Sequence, residues 1–225
     1  MHVAAAVPAY QASGTIAEVV RRTRPFVAAV LVVDDGSTDH TAEVARAEGA
    51  QVHSLPTNSG KGAALLAAFQ ILFAQGFAAV VTLDADGQHL PEEIPRLLDA
   101  FASAEVDLVL GTRDHLFHMM GLVRCLSNSI SSWLISWLAG IPLSDVQTGF
   151  RVYSERLVRL VGFPERRFEA ESAVVVRAAR LGLRIATVPV ELGTPDGRRT
   201  SHYRPFADSL RIARAVLRAR WPAGG

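Results

Sequence analysis

With 225 residues, 49% of them hydrophobic and 20% charged, the chain has the size and composition of one globular domain with a sizeable core. Its 23 Lys and Arg against 22 Asp and Glu leave a formal charge of +1, so no global field favours nucleic acid, although basic residues gather after Arg151. The single cysteine, Cys125, excludes an intrachain disulfide framework, and no Cys/His grouping has zinc spacing.

The first residues, MHVAAAVPAY, lack the basic start and long apolar stretch of a signal peptide. No segment reaches the roughly 18 uninterrupted apolar residues of a spanning helix. The expectation is a protein that is soluble or lies on a membrane surface. Val3 to Val7 reads as a strand, and Thr15-Ile-Ala-Glu18 as a capping box opening a helix to about Arg24. Val27 to Val33 is a second strand ending in Asp34 and Asp35 before Gly36-Ser37. A helix then runs to Glu48, with Gly49 as its stop. Gln51 to Leu55 is a third strand, and Thr57 to Gly62 a polar loop feeding a helix that ends at Gln75-Gly76. A strand at Val80, a helix from Pro91 to about Ser103 and a strand from Asp107 to Leu110, ending at Gly111-Thr112-Arg113, follow. This alternation predicts βαβ units on a mostly parallel sheet.

Three of these strands end in polar residues: Tyr10 and Gln11, Asp34 and Asp35, and Asp84 to Gln88. In such a sheet those ends share one edge, where ligand crevices lie. Val80 to His89, VVTLDADGQH, begins as a buried strand and ends in two carboxylates one residue apart. On extended backbone Asp84 and Asp86 project to the same side. With the amide oxygen of Gln88 they form an incomplete shell for Mg²⁺ or Mn²⁺, which phosphate oxygens of a substrate would complete. The competing reading is that both acids cap the helix near Pro91. Gly-x-Gly-x-x-Gly is absent after the first strand, and Ser59-Gly60-Lys61-Gly62 lacks the spacing of a phosphate-binding NTPase loop. The glycine-rich first loop of a sugar nucleotidyltransferase is missing too.

Beyond Arg113, Met119 to Ile141 reads as a long helix carrying one charge, Arg124. It is either an internal or dimer-facing helix, or one lying in a membrane interface with Trp133 and Trp137 at headgroup depth. In Asp145-Val-Gln-Thr-Gly-Phe-Arg151, Gly149 is expected to allow a tight turn before a strand at Phe150 to Tyr153. Phe168-Glu-Ala-Glu171 precedes an amphipathic helix. Arg184 to Val190 is a last strand, placed at an edge or a strand end by Pro189. A Gly-, Pro- and Arg-rich loop from Gly193 to Pro205 leads to a basic helix from Phe206 to Trp221. Its Arg211, Arg214, Arg218 and Arg220 suit an anionic lipid surface, unless the helix packs across the sheet with its arginines exposed.

The segments VPAY, VVDDGSTD, NSGKGAAL, LDADGQH and DVQTGFRVY, in this order, resemble family 2 glycosyltransferases of the GT-A fold. That fold is an α/β/α sandwich on a mostly parallel sheet. The resemblance runs from about residue 3 to about residue 190 and is strongest to the branch that loads a sugar onto a polyprenyl (dolichyl-type) phosphate. It implies one domain over 1–225, with a nucleotide-sugar half at 1–112, an acceptor half at 113–190, and a basic loop and helix at 191–225. One departure is Gln11-Ala12, where the family often has Asn-Glu.

By this resemblance Pro8, Tyr10 and Asp35 hold the base and ribose, while Lys61 neutralises a phosphate or a carboxylate of the metal site. Asp84, Asp86 and Gln88 hold Mg²⁺ or Mn²⁺ against the diphosphate, with Asp86 essential to catalysis. Arg113 and Arg124 receive the acceptor's phosphate, and Asp145 orients the acceptor or takes its proton. Glu171 falls, by its spacing to Arg177 and Gly182, where relatives that glycosylate hydroxyls place a catalytic carboxylate. Arg198, Arg199 and His202 close over the diphosphate, or form a solvated basic loop. The implied activity is inverting, metal-dependent transfer of a hexose-type sugar from a UDP- or GDP-linked donor to a polyprenyl phosphate at the cytoplasmic membrane face. Anchoring falls to a membrane-protein partner or to the chain's own helices. Two alternatives stand beside it: a lipid or glycan hydroxyl acceptor with Glu171 or Asp145 as base, and a catalytically silent nucleotide-sugar-binding scaffold.

Overall fold

Val3 to Val7 is wholly buried, and its side chains divide between two layers because successive residues of a strand face opposite ways. Ala4 and Ala6 join one apolar cluster, and Val3, Ala5 and Val7 the other. The computed structural model describes residues 2–103, 106–113, 132–133, 135–143, 145–193 and 205–219, with side chains of the last segment from Arg211 onward. Its strands are β1 (Val3–Ala9), β2 (Ala29–Asp34), β3 (Gln51–Ser54), β4 (Ala79–Thr82), β5 (Leu108–Thr112), β6 (Arg151–Ser154) and β7 (Ile185–Pro189). They form one sheet in the order β3-β2-β1-β4-β6-β5-β7. Only β6 runs against its neighbours, pairing antiparallel with both β4 and β5. That reversal brings the segment before β6, residues 145–150, to the edge where β1, β2, β4 and β5 end.

The helices are α1 (Ile16–Thr23), α2 (Thr41–Ala47), α3 (Lys61–Ala74), α4 (Ile94–Ser103), α5 (Glu155–Val161), α6 (Glu169–Arg180) and α7 (Pro205–Ala219). Residues of α3, α6 and α7 pack on one face of the sheet, and those of α1 and α4 on the other. The result is the expected three-layer sandwich.

Several boundaries depart from the sequence reading for identifiable reasons. Arg24-Pro25-Phe26 forms a 3₁₀ turn, so β2 starts at Ala29 rather than Val27. Helix α6 is not amphipathic over its first half: every residue from Ala170 to Val176 is buried, because the helix lies between α3 and α7. Helix α7 packs on α6 through Ile212, Ala215, Val216 and Ala219, leaving Arg214 and Arg218 exposed. Within the long helix expected over 119–141, residues 132–133 and 135–139 are helical and the segment stops at Gly140, whose φ is +74°. Ile135 and Leu138 enter the core, whereas Trp133 and Trp137 are 68% and 61% exposed. No helix among the described residues is long and apolar enough to cross a membrane.

Candidate active site

The loop after β1 turns through Gln11, which takes the left-handed region at φ +53° and is held there by two hydroxyls. Its N–H donates to Ser37 Oγ at 2.9 Å and its side-chain amide to Thr38 Oγ1 at 2.7 Å. At the end of β2, Asp34 accepts the Ser37 N–H at 3.1 Å and so closes a turn instead of capping a helix. Asp39 does that work for α2, accepting the Thr41 N–H at 3.1 Å. Asp35 takes the Ser59 N–H at 2.7 Å and the Gly60 N–H at 2.8 Å. Burial pushes its carboxyl up from the ordinary range, against the pull of those two amides. From the other side, Arg166 accepts the Ala63 N–H at 3.0 Å, and a Cβ on Gly60 would lie 2.5 Å from the Arg166 carbonyl. Between these two fixings α3 can only begin where it does, with Lys61 aimed at the end of β4.

There Lys61 Nζ lies 2.5 Å from Asp84 Oδ1 and 3.0 Å from Glu171 Oε2. Burial works to lower the ammonium's pKa, yet the two carboxylates outweigh it and hold it above the ordinary lysine value. Burial likewise opposes ionisation of Asp84, but Lys61 pulls its pKa down to about 2. Asp86 shifts the other way, raised by burial and by the charge of Asp84. His89 accepts the Asp84 N–H on Nδ1 at 3.0 Å and stacks on Phe150 with centroids 5.2 Å apart. Burial depresses its pKa to about 4, so the ring is neutral and its proton sits on Nε2. Gly149 passes so close that a Cβ would stand 2.6 Å from Lys61 Nζ and 2.8 Å from Asp84 Oδ1. Its φ is not positive, so what demands glycine here is close approach and not the turn dihedral that was expected.

These contacts bear on three of the expected roles. Gln88 is tied to Asp86, its N–H donating to Oδ1 at 3.0 Å and its Nε2 to Oδ2 at 2.9 Å. Asp145 is 0% exposed. It is bound by Arg113, whose Nε donates at 2.7 Å, Nη2 at 3.3 Å and backbone N–H at 3.1 Å. Arg113 in turn spends much of its fork on this enclosed carboxylate. Glu171 is buried behind Lys61, and its Oε1 has no hydrogen-bond partner.

A cleft of about 600 Å³ opens over this edge. Pro8, Tyr10, Asp35, Lys61, Asp84 and Asp86 line it, six of the expected residues brought together. Arg167, Phe168 and Arg211 form further wall that the sequence reading did not find. Arg124, Arg198, Arg199 and His202 lie outside the described residues.

Residues 5–159 match the family described as Glycosyl transferase family 2. The chain belongs to that family. An undecaprenyl-phosphate mannosyltransferase of Micrococcus luteus is 33% identical over 213 residues, covering 84% of this chain and 83% of its own. A polyprenol monophosphomannose synthase of Mycolicibacterium smegmatis is 33% identical over 177 residues, 72% and 65% of the two chains. Among solved structures, glucosyl-3-phosphoglycerate synthase of Mycobacterium tuberculosis, in complex with Mn²⁺, UDP-glucose and phosphoglyceric acid, superposes with a TM-score of 0.76 at 25% identity. The superposition covers 97% of this chain and 79% of that one. The same enzyme with Mg²⁺ and UDP gives 0.75 at 25% identity, covering 96% and 78%.

The family 2 fold thus accounts for the GT-A sandwich, and the chain is a glycosyltransferase. Whether its own residues suit a divalent cation rests on their chemistry. Lys61 touches Asp84 and Glu171, and Asp86 is raised by the charge of Asp84, so at this corner acids outnumber Lys61 and Arg113 among the described residues. Carboxylate oxygens are the donors a hard cation prefers. Among the described residues no three His, Cys, Asp or Glu side chains complete a protein cage. A cation held by Asp84 and Asp86 would therefore draw further oxygens from substrate. The residues fit the ion.

The buried Arg151 was also missed. It donates to the carbonyls of Thr148 at 2.7 Å, Val146 at 2.8 Å and Glu171 at 2.6 Å, tying the 145–150 turn to α6. Its signal was a charged residue opening a strand whose pattern demanded burial. Arg177, singled out for its spacing, forks onto Glu165 at 2.6 and 2.7 Å and holds the loop that carries Arg167.

Proposed function

We propose that this family 2 enzyme moves a hexose-type sugar from a UDP- or GDP-linked donor to a polyprenyl phosphate, with inversion, at a membrane surface. The observation that carries the reading is the acidic pair Asp84 and Asp86 beside Lys61, on the same cleft wall as Tyr10 and Asp35. The spacing suits a nucleotide diphosphate: a ring face and a carboxylate toward the base, a charged turn toward the phosphates. The two 33%-identical relatives are named for polyprenyl-phosphate mannosyl transfer, which supports the acceptor class.

On this reading Tyr10 stacks on the base, and Asp35 contacts the nucleotide with lone pairs left after its two amide bonds. Asp84 and Asp86 would hold Mg²⁺ or Mn²⁺, which when bound supplies positive charge to the departing diphosphate. Lys61 keeps Asp84 ionised and aimed. An oxygen of the acceptor phosphate attacks the anomeric carbon as the bond to the donor's diphosphate breaks, and the nucleotide leaves with that electron pair. A phosphate monoester has a second pKa of about 6 and is already anionic near neutrality, so it needs no base. The enclosure of Asp145 and the burial of Glu171 accord with this. Arg113, positioned by Asp145, supplies positive charge on the acceptor side. Trp133 and Trp137, exposed on one side of their helical segment, suit the headgroup region of a bilayer.

One observation favours a second reading. Glu171 Oε1 is buried without a hydrogen-bond partner among the described residues, while its twin Oε2 lies 3.0 Å from Lys61 Nζ, a state that a bound hydroxyl acceptor would relieve. Incubation with UDP- and GDP-sugars and Mn²⁺, with and without a short polyprenyl phosphate, separates the two. Product formed only with the prenyl phosphate is the expected result. Transfer to a sugar or lipid hydroxyl alone would replace the first reading with the second.

A further inference from the structure

Thr15 occupies the N-cap of α1 with φ −127° and ψ −28°, but its side chain makes no capping bond. The hydroxyl instead donates to the carbonyl of Ala85 at 2.6 Å, across 70 residues of sequence. Its other carbonyl neighbour, Ala12, is at 3.3 Å, so the single hydroxyl proton is committed to Ala85. A cap of this kind ordinarily stabilises its helix, and forgoing it has a cost that the long-range bond must offset. Ala85 lies between Asp84 and Asp86, and its carbonyl shares a peptide plane with the Asp86 amide.

We propose that Thr15 is a positioning residue that fixes the direction of the Asp86 carboxylate. The turn is gripped on both sides: His89 accepts the Asp84 N–H at 3.0 Å, and Thr15 holds the Ala85 carbonyl. Thr15 is itself anchored. Ala12 donates its N–H to Thr41 Oγ1 at 2.8 Å and Ser13 to Asp39 Oδ2 at 3.1 Å, stitching the loop after β1 to the start of α2. The loop that carries Tyr10 and the turn that carries the acids are therefore joined through Thr15. No corresponding bond holds Asp86 through its own side chain except those from its neighbour Gln88, among the described residues.

The cation-binding part of this inference rests on the proposed function; the fixing of the turn does not. Thr15→Val keeps the side chain's shape and removes the donor, and Thr15→Ser restores it. Two measurements decide the matter: Mn²⁺ affinity in the presence of UDP and of GDP, by electron paramagnetic resonance, and amide hydrogen exchange of residues 84–87 in the metal-free proteins. The expected result is about a five- to tenfold loss of Mn²⁺ affinity and faster exchange in Thr15→Val, the loss one hydrogen bond sustains, with both recovered in Thr15→Ser. Unchanged exchange and affinity in Thr15→Val overturns the proposal, as does a Thr15→Ser protein no better than Thr15→Val. A wild-type protein that binds no Mn²⁺ with either nucleotide refutes the metal-dependent reading, while the exchange measurement still decides the role of Thr15.

Discussion

Lys61 and Arg113 both meet carboxylates at the same edge of the sheet, but the charges around them balance differently. Arg113 closes on Asp145 directly: two guanidinium nitrogens and a backbone amide converge on a carboxylate with no exposure. Lys61 touches two carboxylates, Asp84 and Glu171, and beside them Asp86 has its pKa raised by burial and by Asp84, with Arg113 acting on both aspartates from farther off. In the first arrangement each partner's charge is met by the other, and in the second, acids crowd one another at the cleft wall, as shifted carboxylates at a candidate site do. Removing one partner of the pair and removing one of the crowded acids should therefore affect stability in opposite ways.

The largest effect is expected from Asp86→Ala. Removing one of the crowded acids should leave the melting temperature unchanged or raised, while sugar transfer falls by about a thousandfold or more, roughly 4 kcal/mol of barrier. Thermal unfolding and turnover measured on the same preparation check both halves. A variant that unfolds would show the acid to be structural. The Arg113–Asp145 pair should behave conversely. Asp145→Ala leaves the guanidinium of Arg113 without its partner in a largely buried place, at a cost of about 3–5 kcal/mol in stability. Arg113→Ala with Asp145→Ala should cost clearly less than the sum of the two single changes, and a denaturant-unfolding double-mutant cycle measures that coupling.

A smaller and mixed effect is expected at Gly149, where a Cβ meets the ends of Lys61 and Asp84 at once. Both are side-chain tips that can yield, so Gly149→Ala should cost about 1–3 kcal/mol of stability. The displaced Lys61–Asp84 contact should lower turnover about tenfold, a loss that persists under conditions where the variant is fully folded. Full activity in that variant would mean the tight packing serves only the fold.

How far these arrangements could be read in the sequence depended on the range of the contacts. Asp84 and Asp86 were legible because strand, acid and glycine are adjacent, and β-sheet physics alone sends such a turn to the ligand edge. The reversal of β6 was not, since the pattern of a four-residue strand carries no direction. Asp145 looked like a free acid because its partner is 32 residues away, supplied by that same reversal. Thr15 satisfied a local capping pattern, and tertiary structure overrode it. Gln88 bears a donor and an acceptor on one amide, and sequence spacing does not choose between them. Arg167, Phe168 and Arg211 reach the cleft from loops and helices whose docking no periodicity encodes.

The smallest effect on stability, and the widest separation of stability from location, is expected on the outer face of residues 132–139. Ile135 and Leu138 bury the inner side, and the Ser136 hydroxyl donates to the Leu143 carbonyl at 2.8 Å, fixing the segment to the turn that leads to Asp145. Trp133 and Trp137, one helical turn apart, are therefore displayed outward by a segment that is itself well anchored. Replacing both with Ser should change stability by only about 0.5 kcal/mol, as for other surface positions. Indole rings favour the bilayer interface whatever the lipid charge, whereas Arg214 and Arg218 of α7 respond to anionic lipid alone. The double variant should lose flotation with neutral and anionic vesicles alike; Arg214→Gln with Arg218→Gln should lose only the anionic increment, at low salt. Equal flotation of wild type and the tryptophan variant would move the membrane contact to another face, leaving the balance of charges in the cleft untouched.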